Sequence, residues 1–318
     1  MEILVLGGTS FVGRHVVAEL LARGHKPTLF TRGVTNPDVF PEAQRRLGDR
    51  DSGDYASLDG GHWDAVVDVS AYHPRHLNQA LDAAGGVPRY LFVSTVSVYD
   101  LTRAPEDGLD EDAPLLPEVR HTEEVTGETY GGLKVSCETD LVTRLGDRAT
   151  VVRPGIVAGP YDTTDRFTYW ARRGAQGGRV ALPGRPDQPV QVVDARDLAR
   201  LCAQLLHDDR PGTFNAVGPA VPVTLAELVT TCAEAAGTTV ELVPVAPVIR
   251  EKGFPLVLDD PKGDRMFRAS STRARAVGLT ATPLVQTARD TAAWDAERGA
   301  PLIDRAFTPE QEAAALAG

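Results

Sequence analysis

Lysine is almost missing from this chain: Lys26, Lys134, Lys252 and Lys262 are the only four in 318 residues. Its 33 basic residues face 44 acidic ones, a net charge of −11. A surface of that sign argues against bulk binding to nucleic acid or to an anionic membrane, so neither partner is expected. Cysteine is as sparse. Cys137, Cys202 and Cys232 lie far apart without a Cys-x-x-Cys pair, which suits free thiols in a reducing cytoplasm. No apolar run reaches the roughly 18 residues of a membrane-spanning helix. The N-terminus enters a core strand with no charged leader or cleavage site, so a cytoplasmic location is expected. His73 and His76 lack a third ligand, read as surface histidines, and no metal is expected. Gly-x-Ser-x-Gly and His-Glu-x-x-His are both absent.

What the chain does have begins at once. Ile3 to Leu6 form a continuous apolar run, as in a parallel strand buried on both faces. Gly7, Gly8 and Gly13 follow within seven positions, and a helical pattern starts, with Phe11, Val12, Val16, Val17, Leu20 and Leu21 on one face. Strand, glycine turn and helix bring backbone N–H groups and a positive helix end to one point, which suits a pyrophosphate. Gly7, Gly8, Thr9, Ser10, Phe11, Val12, Gly13 and Arg14 are therefore the first cofactor-binding candidates. Ser10 stands where the spacing calls for a middle glycine. Its side chain should push the phosphate slightly away or donate a hydroxyl hydrogen bond to it.

Strand-like runs recur at 27–31, 45–48, 64–69, 88–95 and 149–153, with helical stretches near 74–84 and 128–145. This alternation predicts a doubly wound parallel α/β sheet of the Rossmann kind. A strand at 190–193 and a helix at 195–207 read as a return to that sheet. The expected division is a dinucleotide-binding domain of residues 1–155 plus about 188–219, and a smaller substrate domain of about 156–187 plus 220–318. The second strand ends Leu29-Phe-Thr-Arg32 without a carboxylate. An acidic residue there would take a ribose 2′-OH, whereas arginine accommodates a 2′-phosphate, so Arg32, joined by Arg14, favours NADP, with NAD the alternative. Asp49 would meet the adenine amino group, and Ser70 and Ala71 would sit beside the ribose.

The fifth strand ends in hydroxyls, and Tyr130-Gly-Gly-Leu-Lys134 follows in a helical stretch. Spacing of i, i+4 puts both side chains on one face. An ammonium beside a phenol favours phenolate and draws its pKa from about 10 towards neutrality. The result is a usable general base for an alcohol, or a general acid for a carbonyl.

Together the motifs resemble an extended short-chain dehydrogenase/reductase, the NAD-dependent epimerase/dehydratase family. The resemblance covers about residues 1–220. It is carried by Gly7-Gly-Thr-Ser-Phe-Val-Gly13, Val93-Ser-Thr-Val-Ser-Val-Tyr99, Tyr130-x-x-x-Lys134 and Val152-Arg-Pro-Gly-Ile-Val-Ala-Gly-Pro160, in family order. It implies that Tyr130 transfers the proton, that Lys134 lowers its pKa and holds the nicotinamide ribose, and that Thr95 hydrogen-bonds the reacting oxygen. Pro154, Gly155, Ile156 and Val157 would line the nicotinamide. A homodimer through helices flanking the sheet is common in the family. Ser10 is similar to a subset that includes chloroplast stem-loop RNA-binding proteins.

Two loops flank the expected cleft. Residues 100–127 carry Glu106, Asp107, Asp110, Glu111, Asp112, Glu118, Glu123 and Glu124, and read as a solvated acidic loop rather than a lid. From Arg166 to Arg185 there are five arginines, no acid, and the aromatics Phe167, Tyr169 and Trp170. In so acidic a chain this suggests an anionic small-molecule substrate held by Arg166, Tyr169, Arg172 and Arg173. A charged helix face whose aromatics serve the core is the competing explanation.

The leading functional expectation is an NAD(P)-dependent oxidoreductase moving hydride between nicotinamide C4 and a carbinol or carbonyl carbon. A nucleotide-sugar epimerase or dehydratase that retains NAD needs the same residues. A non-catalytic dinucleotide-sensing or RNA-binding module on the same fold is the third reading. The Arg32 assignment predicts that NADPH binds more tightly than NADH and that Arg32→Ala removes the difference. Equal affinities, unchanged in the variant by fluorescence titration, would refute it.

Overall fold

The structure, a computed structural model, describes residues 1–105, 108–246, 253–258 and 260–317. The chain runs β1 (Glu2–Leu6), α1 (Phe11–Ala22), β2 (Lys26–Thr31), β3 (Gln44–Leu47), β4 (Ala65–Asp68), α2 (Pro74–Ala83), β5 (Arg89–Val93), α3 (Tyr130–Leu145) and β6 (Ala149–Pro154). It continues through β7 (Ile156–Ala158), α4 (Arg166–Gln176), β8 (Gly178–Leu182), β9 (Pro189–Val190), β10 (Val192–Asp194), α5 (Ala195–His207) and β11 (Gly212–Ala216). The remaining named elements are β12 (Val223–Thr224), α6 (Leu225–Ala235), β13 (Val240–Pro244), α7 (Thr272–Ala276), α8 (Leu284–Glu297) and α9 (Pro309–Ala317). Residues 1–155, 196–216 and 269–280 form one compact unit, and residues 156–195, 217–268 and 281–318 another.

In the first unit seven parallel strands lie in the order β11-β6-β5-β4-β1-β2-β3 among the described residues. Order reverses between β1 and β4, so the crevice beyond their carboxyl ends is where such sheets bind ligands. The central strands are apolar because both faces are covered: Ile3 to Leu6, Val66, Val67 and Tyr90 to Phe92 are inaccessible to solvent or nearly so. One core on this sheet gathers Leu4, Leu6, Phe30, Val66, Tyr90 and Phe92 with Leu77, Leu81 and Leu141 from α2 and α3.

The strand expected at 190–193 does not return to this sheet. Pro189–Val190 pairs antiparallel with β12, and Val192–Asp194 pairs with β7, both in the second unit. Residues 188–195 therefore group with the second unit, while 269–280 join the first. The seventh strand is β11, Gly-Thr-Phe-Asn-Ala, which is no apolar run. Its buried Asn215 is satisfied instead: the side-chain carbonyl accepts from the Tyr99 hydroxyl at 2.7 Å, and the backbone N–H donates to Glu111 at 2.8 Å. Glu111 is thus buried, not a solvated member of the acidic loop, because an edge strand's unpaired N–H needs an acceptor. Glu106 and Asp107 of that loop lie outside the described residues.

His73 and His76 are also not surface residues. Both are about 6% exposed, with ring centroids 3.7 Å apart. Burial lowers both pKa values, that of His76 to about 4 with help from His73 and Arg50, so the pair is neutral at pH 7. His73 precedes Pro74 at the N-terminus of α2, and that helix packs its inner face on the sheet. The three cysteines are buried, and burial pushes the Cys137 and Cys202 thiols up to about 12.

The second unit has its own core of Phe167, Tyr169 and Trp170 from α4, Leu225, Leu228 and Val229 from α6, and Phe254, Ala288 and Ile303. Trp170 Nε1 donates to the Pro255 carbonyl at 2.8 Å, which settles the polar atom of a fully buried indole. Among the described residues no helix is long and apolar enough to cross a membrane.

Candidate active site

The first turn is shaped by what cannot be accommodated. A Cβ at Gly13 would stand 2.0 Å from the Gly7 carbonyl oxygen, and one at Gly8 2.8 Å from Val17 Cγ2. Gly7 adopts φ +91°, a conformation that side chains disfavour, and faces Ser70 across the switch point. α1 therefore starts hard against β1. Its N-cap residue Ser10 makes no side-chain bond to the helix, and no acidic residue occupies the first turn. This cradle of backbone N–H groups fits a pyrophosphate. Thr9 is buried, and its carbonyl accepts from Asn36 Nδ2 at 2.9 Å, tying the turn to the loop after β2. Phe11, Val12 and Arg14 are half-buried on the first turn of α1.

Beyond β2, Arg32 is exposed, with Asp51 as an ion-pair partner at the outer limit of 4.0 Å. Asp49 follows β3, but its Oδ1 accepts from the Asp51 N–H at 3.0 Å and so braces its own turn. Asp68 at the end of β4 is inaccessible and receives Arg50 through two 2.7 Å bonds and the Tyr90 hydroxyl at 2.8 Å. Burial alone would raise the Asp68 pKa, but the Arg50 guanidinium and the Ser70 N–H hold it below the usual carboxylate value. Asp68 Oδ1 also accepts from the Ala71 N–H, and Arg50 reaches Ser70 Oγ at 2.6 Å. Sequence reasoning placed Ser70 and Ala71 at the ribose without seeing that Arg50 and Asp68 orient them. Losing one partner of such a buried pair costs about 3–5 kcal/mol.

Tyr130 opens α3, and Lys134 sits one turn on. The two intervening glycines have a specific use. A Cβ at Gly131 would lie 2.3 Å from the Ser97 carbonyl oxygen, and one at Gly132 2.5 Å from Val119. The helix thus presses against the loop after β5, bringing Lys134 to the strand ends. Lys134 is buried, and its ammonium donates to the carbonyls of Ala71 at 2.8 Å and Val93 at 2.9 Å. The Phe92 ring centroid is 4.3 Å from Nζ. Half-exposed Tyr72 stands with its centroid 5.5 Å from Nζ and 6.3 Å from the Tyr130 ring. Thr95 is buried and caps the short turn at 96–98: its hydroxyl accepts from the Ser97 N–H at 3.1 Å and donates to Ser97 Oγ at 3.2 Å. Pro154 ends β6, and the Gly155 N–H donates to the Ala216 carbonyl at 3.3 Å. Ile156 and Val157 begin β7 of the second unit.

Glu138, one turn beyond Lys134, forms a buried ion pair with Arg153 of β6 at 2.6 Å, and Arg153 also donates to the Tyr99 hydroxyl at 2.9 Å. This pair pins α3 to the sheet. No local pattern announces it, since the partners lie on different elements.

The expected anion-binding face on α4 is largely committed elsewhere. Arg172 pairs with Asp295 at 2.6 Å, Arg173 with buried Glu312 at 2.7 Å, and Arg185 with Asp264. Tyr169 is 5% exposed and packs edge-on against Phe254. Arg172, Arg173 and Tyr169 therefore serve the unit's own core and ion pairs rather than an open substrate surface. The acids come from segments the local composition could not show. Among the described residues, Arg166 alone of the four stays half-exposed without a carboxylate bond of this kind, its Nε donating to Thr164 Oγ1 at 3.1 Å.

A doubly wound nucleotide-binding fold with a buried lysine one turn after a tyrosine defines the class, a short-chain dehydrogenase/reductase-like enzyme of the extended kind. Residues 3–217 match the model of the NAD dependent epimerase/dehydratase family, and the chain belongs to that family. A chloroplast stem-loop binding protein of 41 kDa (b) from Arabidopsis thaliana is 26% identical over 298 residues, covering 87% of this chain and 74% of that protein. The fold is shared with the UDP-glucose 4-epimerase of Thermus thermophilus, seen with NAD, at TM-score 0.69 and 22% identity over 95% of this chain and 100% of that one. It is also shared with UDP-N-acetylglucosamine 4-epimerase of Bacillus cereus, at TM-score 0.68 and 19% identity over 92% of this chain and 98% of that one.

Burial lowers the Lys134 pKa from 10.5 to about 8. Between those values the unfolded chain holds a proton that the native state has lost, so stability rises with pH across that window. Wild-type protein should gain stability over Lys134→Met as pH is raised from 8 to 10.5, on the order of a few kcal/mol by denaturant unfolding. Parallel stability curves would contradict the buried ammonium.

Proposed function

We propose that this protein is a nicotinamide-dependent oxidoreductase that interconverts a secondary alcohol and a carbonyl, with Tyr130 handling the proton. The observation that carries the reading is the seat of Lys134, fixed by the Ala71 and Val93 carbonyls within one helical turn of Tyr130. The dinucleotide would be held within the first unit by the Gly7–Gly13 cradle, by Ser70 and Ala71, and by Pro154 and Gly155 at the end of β6. When bound, its nicotinamide supplies or accepts hydride at C4. Tyr130 donates its phenolic proton to a carbonyl oxygen, or as phenolate takes one from an alcohol. The Lys134 ammonium stabilises that phenolate, and the Thr95 hydroxyl would orient the reacting oxygen. Arg32, exposed and without a firm carboxylate partner, supports a preference for NADP. Arg166 is the residue left to meet an anionic substrate.

Family membership favours one other enzymatic outcome, an epimerase or dehydratase that keeps its cofactor between half-reactions. The stem-loop binding relative raises RNA as a partner. The net charge of −11 and the retained Thr95, Tyr130 and Lys134 weigh against that reading.

Tyr130→Phe should lower kcat by about 10²–10⁴-fold, the usual contribution of a positioned acid or base, and leave dinucleotide affinity nearly unchanged. Full turnover by the variant on an identified substrate would overturn the mechanism.

A further inference from the structure

Tyr72 stands out by its exposure beside a buried charge. It follows Ala71, whose carbonyl receives Lys134, yet it is 46% exposed where most large apolar side chains of the unit are buried. Its ring stands 5.5 Å from the Lys134 ammonium and 6.3 Å from the Tyr130 ring, at an interplanar angle of 42°. Phe92, fully buried, flanks the same ammonium at 4.3 Å. One aromatic ring belongs to the core, and the other is open to solvent.

We propose that Tyr72 is a positioning residue, the solvent-side wall that keeps the Lys134 ammonium dry and aimed beside Tyr130. The proposal rests on reading Tyr130 and Lys134 as the proton-handling pair. A ring near an ammonium has two opposed effects. Its π face attracts the charge, but 5.5 Å is close to the outer limit of about 6 Å, so that attraction is small. Its bulk displaces water, which disfavours the charge, and in so enclosed a site this effect dominates. The other groups facing Lys134 are Cys137 and Glu138 on α3, Asp68 at the end of β4 and Arg50 after β3. The Asp68 and Glu138 carboxylates favour the ammonium, Arg50 opposes it, and Cys137 is a neutral thiol in this pH range. Cys137 is pushed up to about 12 and Asp68 is held low, so neither changes charge near pH 8.

The scarcity of lysine makes the test direct. With lysine labelled at ¹³Cε only four side chains give signals, and Lys134→Met assigns the one of interest. Tyr72→Ala should raise the Lys134 titration midpoint by about half a pH unit or more, because water replaces the ring. Tyr72→Phe keeps the ring and should leave the midpoint within about 0.2 units, rescuing the effect. A midpoint that stays put or falls in Tyr72→Ala overturns the proposal, as does Tyr72→Phe behaving like Tyr72→Ala. The alkaline limb of kcat should move with the resonance. A resonance that moves without the kinetic limb upholds the wall and refutes the catalytic reading of the dyad.

Discussion

An ammonium held away from water by two main-chain carbonyls organises the carboxyl edge of this sheet. Lys134 joins the ends of β4 and β5 through Ala71 and Val93. A charge in that position is tolerated only because its hydrogen bonds are fixed and acids lie near it. Everything that brings α3 to the strand ends serves this contact. Gly131 and Gly132 remove the side chains that would collide with Ser97 and Val119. The buried Glu138–Arg153 pair then locks the helix against β6.

The same edge is prepared from the other side of the switch point. Gly7 and Gly13 let α1 begin against β1 with its N-terminal N–H groups unopposed by a local acid. Arg50, clamped on Asp68, sets the loop from Ser70 to Ala71 that also supplies a carbonyl to Lys134. The loop from Ser70 to Ala71 thus ties the end of β1, where the Leu6 carbonyl accepts from Ser70 Oγ at 3.2 Å, to Lys134 within the first unit. Disturbing Asp68 should be felt at Lys134, since they share the Ala71 peptide region and an electrostatic field.

Sequence reading succeeded where the information was local. An apolar strand, a crowded glycine turn and a 3.6-residue pattern lie side by side at the start of the chain, and Tyr130 and Lys134 are one turn apart. It failed where a side chain's fate depends on distant segments. Arg172 and Arg173 look like a free basic face until Asp295 and Glu312, 123 and 139 residues away, close on them. Glu111 reads as one more acid in a wet loop until the edge N–H of Asn215 claims it. β11 was missed because Asn215 interrupts the apolar pattern, its polarity answered only in the fold. His73 and His76 lacked any local cue to burial. The glycines of Tyr130-Gly-Gly-Leu-Lys134 were in plain view, and two adjacent glycines inside a helix were the one signal of close approach left unused.

The central claim is that this edge binds a nicotinamide dinucleotide for chemistry at Tyr130. The most direct measurement is to identify any nucleotide released on denaturing the purified protein and to titrate the remainder with NADPH and NADH. The account predicts one site per chain, weak enough to exchange and tighter for NADPH. NAD held without exchange would move the reading to a cofactor-retaining epimerase and remove Arg32 as a 2′-phosphate site. Binding of neither nucleotide would contradict the account at its root.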